Sequence, residues 1–369
     1  MTLRVIIYRL GVIPLLLLLC ILAACSQQDL DQEEQGMVSL KVLASPGTRT
    51  GEGGTATATL PAKETAIYDL SIFIFNSNGD VIGFTSKDFS DGKPTAVDVK
   101  TRKATGCSVY AIANAKTLNK NGTSPFDGVS TLSVFKTKYL SFADAKAPNN
   151  DKCLLMMGVS SNFDTSSASS ASPATITLKR LASRIDYTIT VKNDNATTFP
   201  IVVDSYQLCN VPTSTFYQQS DFTSPSMPSS TVFADLDKVP TSISSGAAPT
   251  SAGTYYVYAN GNTDPDPNSS KGTYLDIQAH SEVQGADGTI YTVWMSNFQV
   301  KMPDGKVKPN YHYKIDIVIN GSVTGKNGGV ITTYKAYPFF SGGNLEQWND
   351  HWNEDGTGEV KIDFDYEEK

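Results

Sequence analysis

An all-β chain of two mostly antiparallel domains is what three features of this sequence predict. Charged residues make up only 18% of it, while Tyr and Phe number 17 and 16. That balance favours strands and polar loops over helices. Val38-Ser39-Leu40-Lys41-Val42 alternates with period two, and Tyr313, Ile315, Ile317 and Ile319 share one face of a later run. The length, 369 residues, suits two domains. A formal net charge of −7 argues against a nucleic-acid partner.

The first 24 residues read as a signal peptide closing on a lipoprotein box. Arg4 and Arg9 precede an apolar run from Val12 to Leu22, which ends in Leu22-Ala23-Ala24-Cys25. The run falls below the ~18 residues of a membrane span. Cys25 is therefore the expected lipid carrier, tethering the mature protein to a bacterial membrane. Residues 25–36, acidic and polar, read as a linker.

The N-terminal domain is expected over 37–174. Its opening strand, 38–42, stops at Ser45-Pro46-Gly47 and enters a Gly- and Thr-rich loop carrying Arg49 and Thr50. A strand over 66–75 turns at Asn78-Gly79 into 81–84, a hairpin signature. The uncharged run 107–115 suits a central strand. Within 124–145, Leu132, Phe135, Tyr139 and Leu140 could line a helix face. Leu154–Val159 is again apolar, with Gly158 marking a bulge or turn. Residues 160–174 are too polar to build a core.

The C-terminal domain is expected over 175–369, the seam lying within 160–192. Ile176 and Leu178 alternate, as do Ile185, Tyr187 and Ile189, but the sets are out of phase, which a bulge near Ala182 would repair. Strands follow at 201–208, 255–258, 273–278, 290–300 and 312–319, separated by a polar excursion over 210–250. Trp348 and Trp352 sit in a loop or turn. Of five cysteines, Cys20 leaves with the signal and Cys25 takes lipid. Cys107, Cys153 and Cys209 follow no disulfide or zinc spacing and are expected as thiols, Cys107 and Cys153 buried.

In the final strand, 359–367, Val360, Ile362, Phe364 and Tyr366 face one way and charged residues the other. Such a strand either closes its own sheet or is donated to a neighbour. Donation needs a vacant groove. Loss of the opening strand, with Val38, Leu40 and Val42, would provide one, and a cut after Arg49 would release it and leave Thr50 as the new first residue. Arg102 is the rival site, where cutting would be destructive, and Arg180 and Arg184 fall in a strand.

Catalysis has little support. His280, His312 and His351 are scattered, with no H-E-x-x-H, G-x-S-x-G or P-loop pattern. His312 is expected to point outward. Asp264-Pro265-Asp266 is short of a calcium loop, and no cofactor or metal site is expected. Trp348, Trp352, Tyr255, Tyr256 and Tyr258 could stack on sugars or pack in a core.

Several blocks together resemble the Bacteroidetes fimbrillin family of type V pilins: the box ending at Cys25, VSLKV followed by Arg49, IYDLSIFIFNSNGDVIGF at 67–84, VYAIANA at 109–115, ITLKRLASRIDYTI at 176–189 and NYHYKIDIVING at 310–321. The resemblance implies two tandem transthyretin-like β-sandwich domains with long loops and at most short helices. It also implies an outer-membrane lipoprotein precursor, removal of the first strand by an Arg-specific protease, and polymerisation by strand exchange into an extracellular fimbrium. The implied partners are further copies, tip and anchor proteins, that protease, and a host or bacterial surface receptor. The acidic residues after Cys25 resemble surface-export signals of the same phylum. Clean alternation at 360–366 favours a shaft subunit over a tip adhesin, an anchor subunit or a carbohydrate-binding surface lipoprotein.

Overall fold

The computed structural model describes residues 35–44, 61–119, 121–142, 148, 152–166, 173–192, 201–244, 250–261, 272–284, 290–302, 306–320, 330–338 and 358–362. In chain order the strands are β1 (Gln35–Ala44), β2 (Asp69–Phe75), β3 (Val81–Asp88), β4 (Val97–Arg102), β5 (Cys107–Ala113), β6 (Tyr139–Ser141), β7 (Met156–Phe163), β8 (Ala174–Arg180), β9 (Ala182–Lys192) and β10 (Ile201–Cys209). They continue with β11 (Val211–Pro212), β12 (Ser214–Phe216), β13 (Phe233–Ala234), β14 (Val239–Ser244), β15 (Thr250–Tyr258), β16 (Tyr274–Gln284), β17 (Ile290–Lys301), β18 (Tyr311–Asn320), β19 (Val330–Pro338) and β20 (Gly358–Ile362). Two short helices, α1 (Ala115–Leu118) and α2 (Leu132–Lys136), and a 3-10 turn, Ala62–Glu64, are the helical elements among the described residues. None of the described helices is long and apolar enough to cross a membrane.

Seven strands close on themselves in the order β1-β4-β3-β2-β5-β7-β8. Every residue of β2 is buried, because its inner face meets the barrel core and its outer face is covered by α2. Phe135 of α2 lies 5.1 Å from Phe73 and 5.7 Å from Phe75, ring to ring, with Phe126 5.4 Å from Phe73. Gly158 of β7 is not a bulge or turn. It stays paired with Ala111, and a Cβ there would sit 2.6 Å from the Thr177 carbonyl oxygen, so only glycine lets β8 come this close.

Two further sheets, β14-β10-β16-β17 and β15-β9-β18-β19-β20, share a second core. Ile185, Tyr187 and Ile189 of β9 and Tyr313, Ile315, Ile317 and Ile319 of β18 meet Val203 and Leu208 of β10 and Leu275 and Ile277 of β16. This is sheet on sheet, with one alternating face of each buried.

Three local expectations need correction. The helix within 124–145 shrinks to α2, capped by the Thr131 hydroxyl accepting from the Val134 N–H; Tyr139 and Leu140 instead pair with Phe216 and Thr215 of β12. The phase break near Ala182 is a change of sheet rather than a bulge. β8 ends at Arg180 in the barrel, Leu181 bends and donates its N–H to the Leu155 carbonyl at 2.8 Å, and β9 enters the second sandwich. The excursion 210–250 is polar yet carries β11 to β14, and Tyr217 within it packs at 4.9 Å on Phe126 in the barrel core.

Candidate functional site: the opening strand and the clamp beside it

β1 is held along both edges. It runs antiparallel to β4 over six residue pairs, Gln35↔Arg102 to Leu40↔Val97, and parallel to β8 over five, Leu40↔Ala174 to Ala44↔Leu178. Val38, Leu40 and Val42 point inward and are buried, beside Val97 and Val99 of β4 and Ile176 and Leu178 of β8. Met37, Lys41 and Leu43 point to solvent. Few side chains therefore plug this position. Three buried aliphatic groups contribute roughly 5–9 kcal/mol as an upper estimate, and the ladders supply the direction. Without β1 the barrel becomes a six-stranded sheet with a cleft between β4 and β8. An entering strand could pair with both edges.

Downstream of Ala44, the segment with Arg49 and Thr50 lies outside the described residues, as do Cys25, Phe364, Tyr366, Trp348, Trp352, Asp264 and Asp266. The chain returns at Pro61, and the 3-10 turn brings Glu64 to the same end of β8 from which β1 departs. Ala44 pairs with Leu178, and two residues on, the Arg180 Nε donates to the Glu64 carbonyl at 2.7 Å. Ala44 and Glu64 are thus tied within a few residues of one another on β8.

The tie is ionic and buried. Glu64 is fully buried, and its Oε1 accepts from Arg184 NH1 at 3.2 Å and from the Tyr256 hydroxyl at 2.5 Å. Asn310, in the left-handed region at φ 62°, accepts the Arg180 backbone N–H at 3.0 Å. Arg184 Nε also donates to Asp186 at 3.0 Å, and Asp186 pairs with His312 Nε2 at 2.6 Å and accepts from Thr254 at 2.7 Å. Burial pushes the Arg180 guanidinium down to about 10, partly offset by Glu64. Burial alone would raise Asp186, but hydrogen bonds from His312, Arg184 and Thr254 outweigh it and hold the carboxyl well below the usual range. His312 is therefore buried, not outward: it lies off the apolar face of β18 but under this cluster.

This burial sorts the arginines. The side chain of Arg180 is fully buried and Arg184 is tied to two carboxylates, so neither can enter a protease pocket while the fold holds. Arg102 has its side chain in solvent but its backbone in the β1–β4 ladder. Tyr256 and Tyr258 are buried and Tyr255 packs on the second core, 5.9 Å from Tyr187, which leaves Tyr256 and Tyr258 no face for a sugar. Cys107, Cys153 and Cys209 are all buried and none forms a disulfide. Among the described residues no group of three His, Cys, Asp or Glu could hold a metal.

β20 lies at the edge of its sheet, beyond β19, in the register Val330↔Ile362 and Thr332↔Val360. It pairs with one neighbouring strand, whereas β1 pairs with two. A strand held along one edge is the easier to exchange.

A closed β barrel followed by a sandwich bears comparison with known families. Residues 37–199 match the family model of the major fimbrial subunit protein, FimA. The match begins within β1 and ends beyond β9, so it takes in most of the opening strand and the rest of the barrel. The fimbrillin resemblance of the sequence blocks is borne out, and the matched family is one of structural subunits rather than an enzyme class. Solved structures agree on the fold. A candidate cell adhesion protein from Parabacteroides distasonis ATCC 8503 is similar with a TM-score of 0.58 at 17% identity, over 82% of this chain and 96% of that one. Another from Bacteroides eggerthii DSM 20697 gives 0.54 at 17% identity, over 84% and 98%. A fimbrilin, FimA, from Porphyromonas gingivalis W83 gives 0.51 at 16% identity, over 84% and 98%. Comparison with curated protein sequences gave no match.

Proposed function

We propose that this chain is a structural subunit of cell-surface fimbriae, made as a lipoprotein precursor tethered through Cys25 and activated by one cut after Arg49. The cut separates β1, with the lipidated end, from the rest of the chain. The vacated cleft between β4 and β8 then takes a strand from another subunit, whose Val360, Ile362, Phe364 and Tyr366 fill the positions of Val38, Leu40 and Val42 and their continuation. Subunits so joined form a shaft that serves adhesion and biofilm growth. The partners on this reading are further copies, tip and anchor proteins, an Arg-specific protease and, before processing, the outer membrane.

The observation that carries the reading is the way β1 is held: two backbone ladders and three modest aliphatic side chains, with Arg49 five residues on in the sequence. Backbone ladders accept any extended strand, and small pockets ask only for alternating apolar side chains. The FimA family match over the same residues supports the same reading. Treatment of the purified chain with an Arg-specific endopeptidase tests it. The large fragment should begin at Thr50, and Arg49→Gln should abolish that fragment. Persistence of an intact chain under conditions that digest the unfolded protein would overturn the processing step.

A further inference from the structure

We infer that β1 is also the guard of a second processing site, the Arg102–Lys103 bond, which opens to an Arg-specific protease whenever the cleft stands empty. The inference rests on the processing reading above and goes beyond it: it gives an opened subunit two fates, capture of a strand or destruction.

A protease reads its substrate as an extended strand, pairing with the backbone of several residues before the cut and taking one side chain into a pocket. Arg102 already meets half of this. Asp98, Lys100 and Arg102 of β4 point to solvent, while Val97, Val99 and Thr101 point into the core. What is denied is the backbone, because residues 97–102 pair one for one with 40–35 of β1.

The other edge of β4 is weakly held. Its ladder with β3 has a single pair, Gly83↔Thr101. A Cβ at Gly83 would lie 2.9 Å from the Thr101 Cβ, so the approach is close but short. With β1 gone, β4 becomes an edge strand, extended, with the β1-facing backbone groups of 97–102 unpaired and an exposed arginine at its end. One further tie holds the scissile region: the Thr165 hydroxyl donates to the Arg102 carbonyl at 3.0 Å, and the Thr165 N–H to the Ala104 carbonyl at 3.0 Å.

The remaining arginines do not share this liability. The β1–β8 ladder stops at Leu178, and Arg180 and Arg184 are guarded by the Glu64 clamp, which makes no use of β1. The strand that fills the cleft restores the β4 ladder and with it the protection of Arg102. Assembled subunits are then spared, and opened subunits that find no partner are cut within the barrel.

The test follows fragments by intact mass and N-terminal sequencing during digestion with an Arg-specific endopeptidase. In the native chain a fragment beginning at Lys103 should appear only after the one beginning at Thr50. Excess synthetic peptide of sequence QGMVSLKVLA should suppress it, while a scrambled peptide should not. In Arg49→Gln, the Lys103 fragment should form at least about tenfold more slowly than in the opened chain, since cleavage follows the population of the open form. Thr165→Ala should hasten the second cut without altering the first. A third chain carries Arg49→Gln and, after it, a recognition sequence for an unrelated site-specific protease. Opening it by that route should expose Arg102 even if Arg49 itself resists, so failure of the processing reading and failure of this inference are told apart. Equal cutting at Arg102 with β1 present and absent, or no cutting after β1 is lost, would overturn the proposal.

Discussion

Glu64 shows how much one side chain can organise. Its carboxylate joins a short turn to β9 and β15 through Arg184 and Tyr256, while its backbone carbonyl accepts from Arg180 of β8. A buried carboxylate with two guanidiniums around it gains little against an apolar alternative, but losing one partner leaves charge stranded. Glu64→Ala should therefore lower the stability measured by urea unfolding by about 3–5 kcal/mol, with Glu64→Gln less harmful because it keeps a hydrogen-bond partner for Tyr256. A loss below ~1 kcal/mol would show that the clamp is idle. Asp186 gives the pH dependence. Its folded carboxyl is held below the unfolded value, so its contribution is full above the unfolded pKa and disappears as pH falls through the folded one. The stability gap between the native chain and Asp186→Asn should be constant from pH 8 to about pH 5 and shrink below about pH 4. Urea midpoints across that range measure it. Asn114 has a comparable role without charge. In the left-handed region at φ 68°, its side chain bonds the Tyr68 N–H and the Ala66 and Leu154 carbonyls. Neither Glu64 nor Asn114 stood out in the sequence, because their partners lie far away along the chain.

At the scale of elements, alternation was a good guide where one face of a strand meets a core. β1, β2, β9 and β18 follow their periods in the sequence. Buried β5 was legible as an uncharged run. The signal failed where polar residues are buried by contacts made elsewhere. The stretch Val211–Phe216 reads as polar, but Thr213, Ser214 and Thr215 are buried because Thr213 bonds the Val232 carbonyl and Ser214 meets Thr231. β4 alternates as well, but its short inward set, Val97, Val99 and Thr101, gives a weaker apolar signal than the other strands. The burial of Val38, Leu40 and Val42 was legible from their alternation; that β1 lies between β4 and β8, one edge antiparallel and the other parallel, was not. Leu40 fills the middle of that seat. Leu40→Ala should cost about 2–5 kcal/mol of stability and should speed exchange of the β4 and β8 amides more than those of β16 and β18. Hydrogen exchange read by mass spectrometry distinguishes the two groups.

On the whole-molecule scale, the chain crosses from barrel to sandwich at Arg180 to Ala182, where Glu64, Arg180, Arg184 and Asn310 add polar ties. The barrel borrows Tyr217, Tyr256 and Tyr258 from later in the chain, so the parts are interlocked rather than strung together. β1 pairs with β4 and β8 alone, so on the proposed reading its loss should leave the sandwich intact. The thiols offer a readout. Burial pushes Cys153, beside the barrel, and Cys209, on β10, up to about 12, and Cys107 of β5 is fully buried. All three should resist iodoacetamide in the native chain. After excision of β1, Cys209 should stay unreactive if the sandwich keeps its structure, and rapid labelling there would show that the two cores unfold together.

The account turns on a barrel that can exchange its first strand for one from another molecule. Its most direct test is a non-boiled SDS gel of the chain after Arg-specific cleavage. A ladder of SDS-resistant multimers should form, and it should vanish when residues 359–369 are deleted. A ladder that survives the deletion, or a cleaved chain that remains monomeric at high concentration, would contradict it.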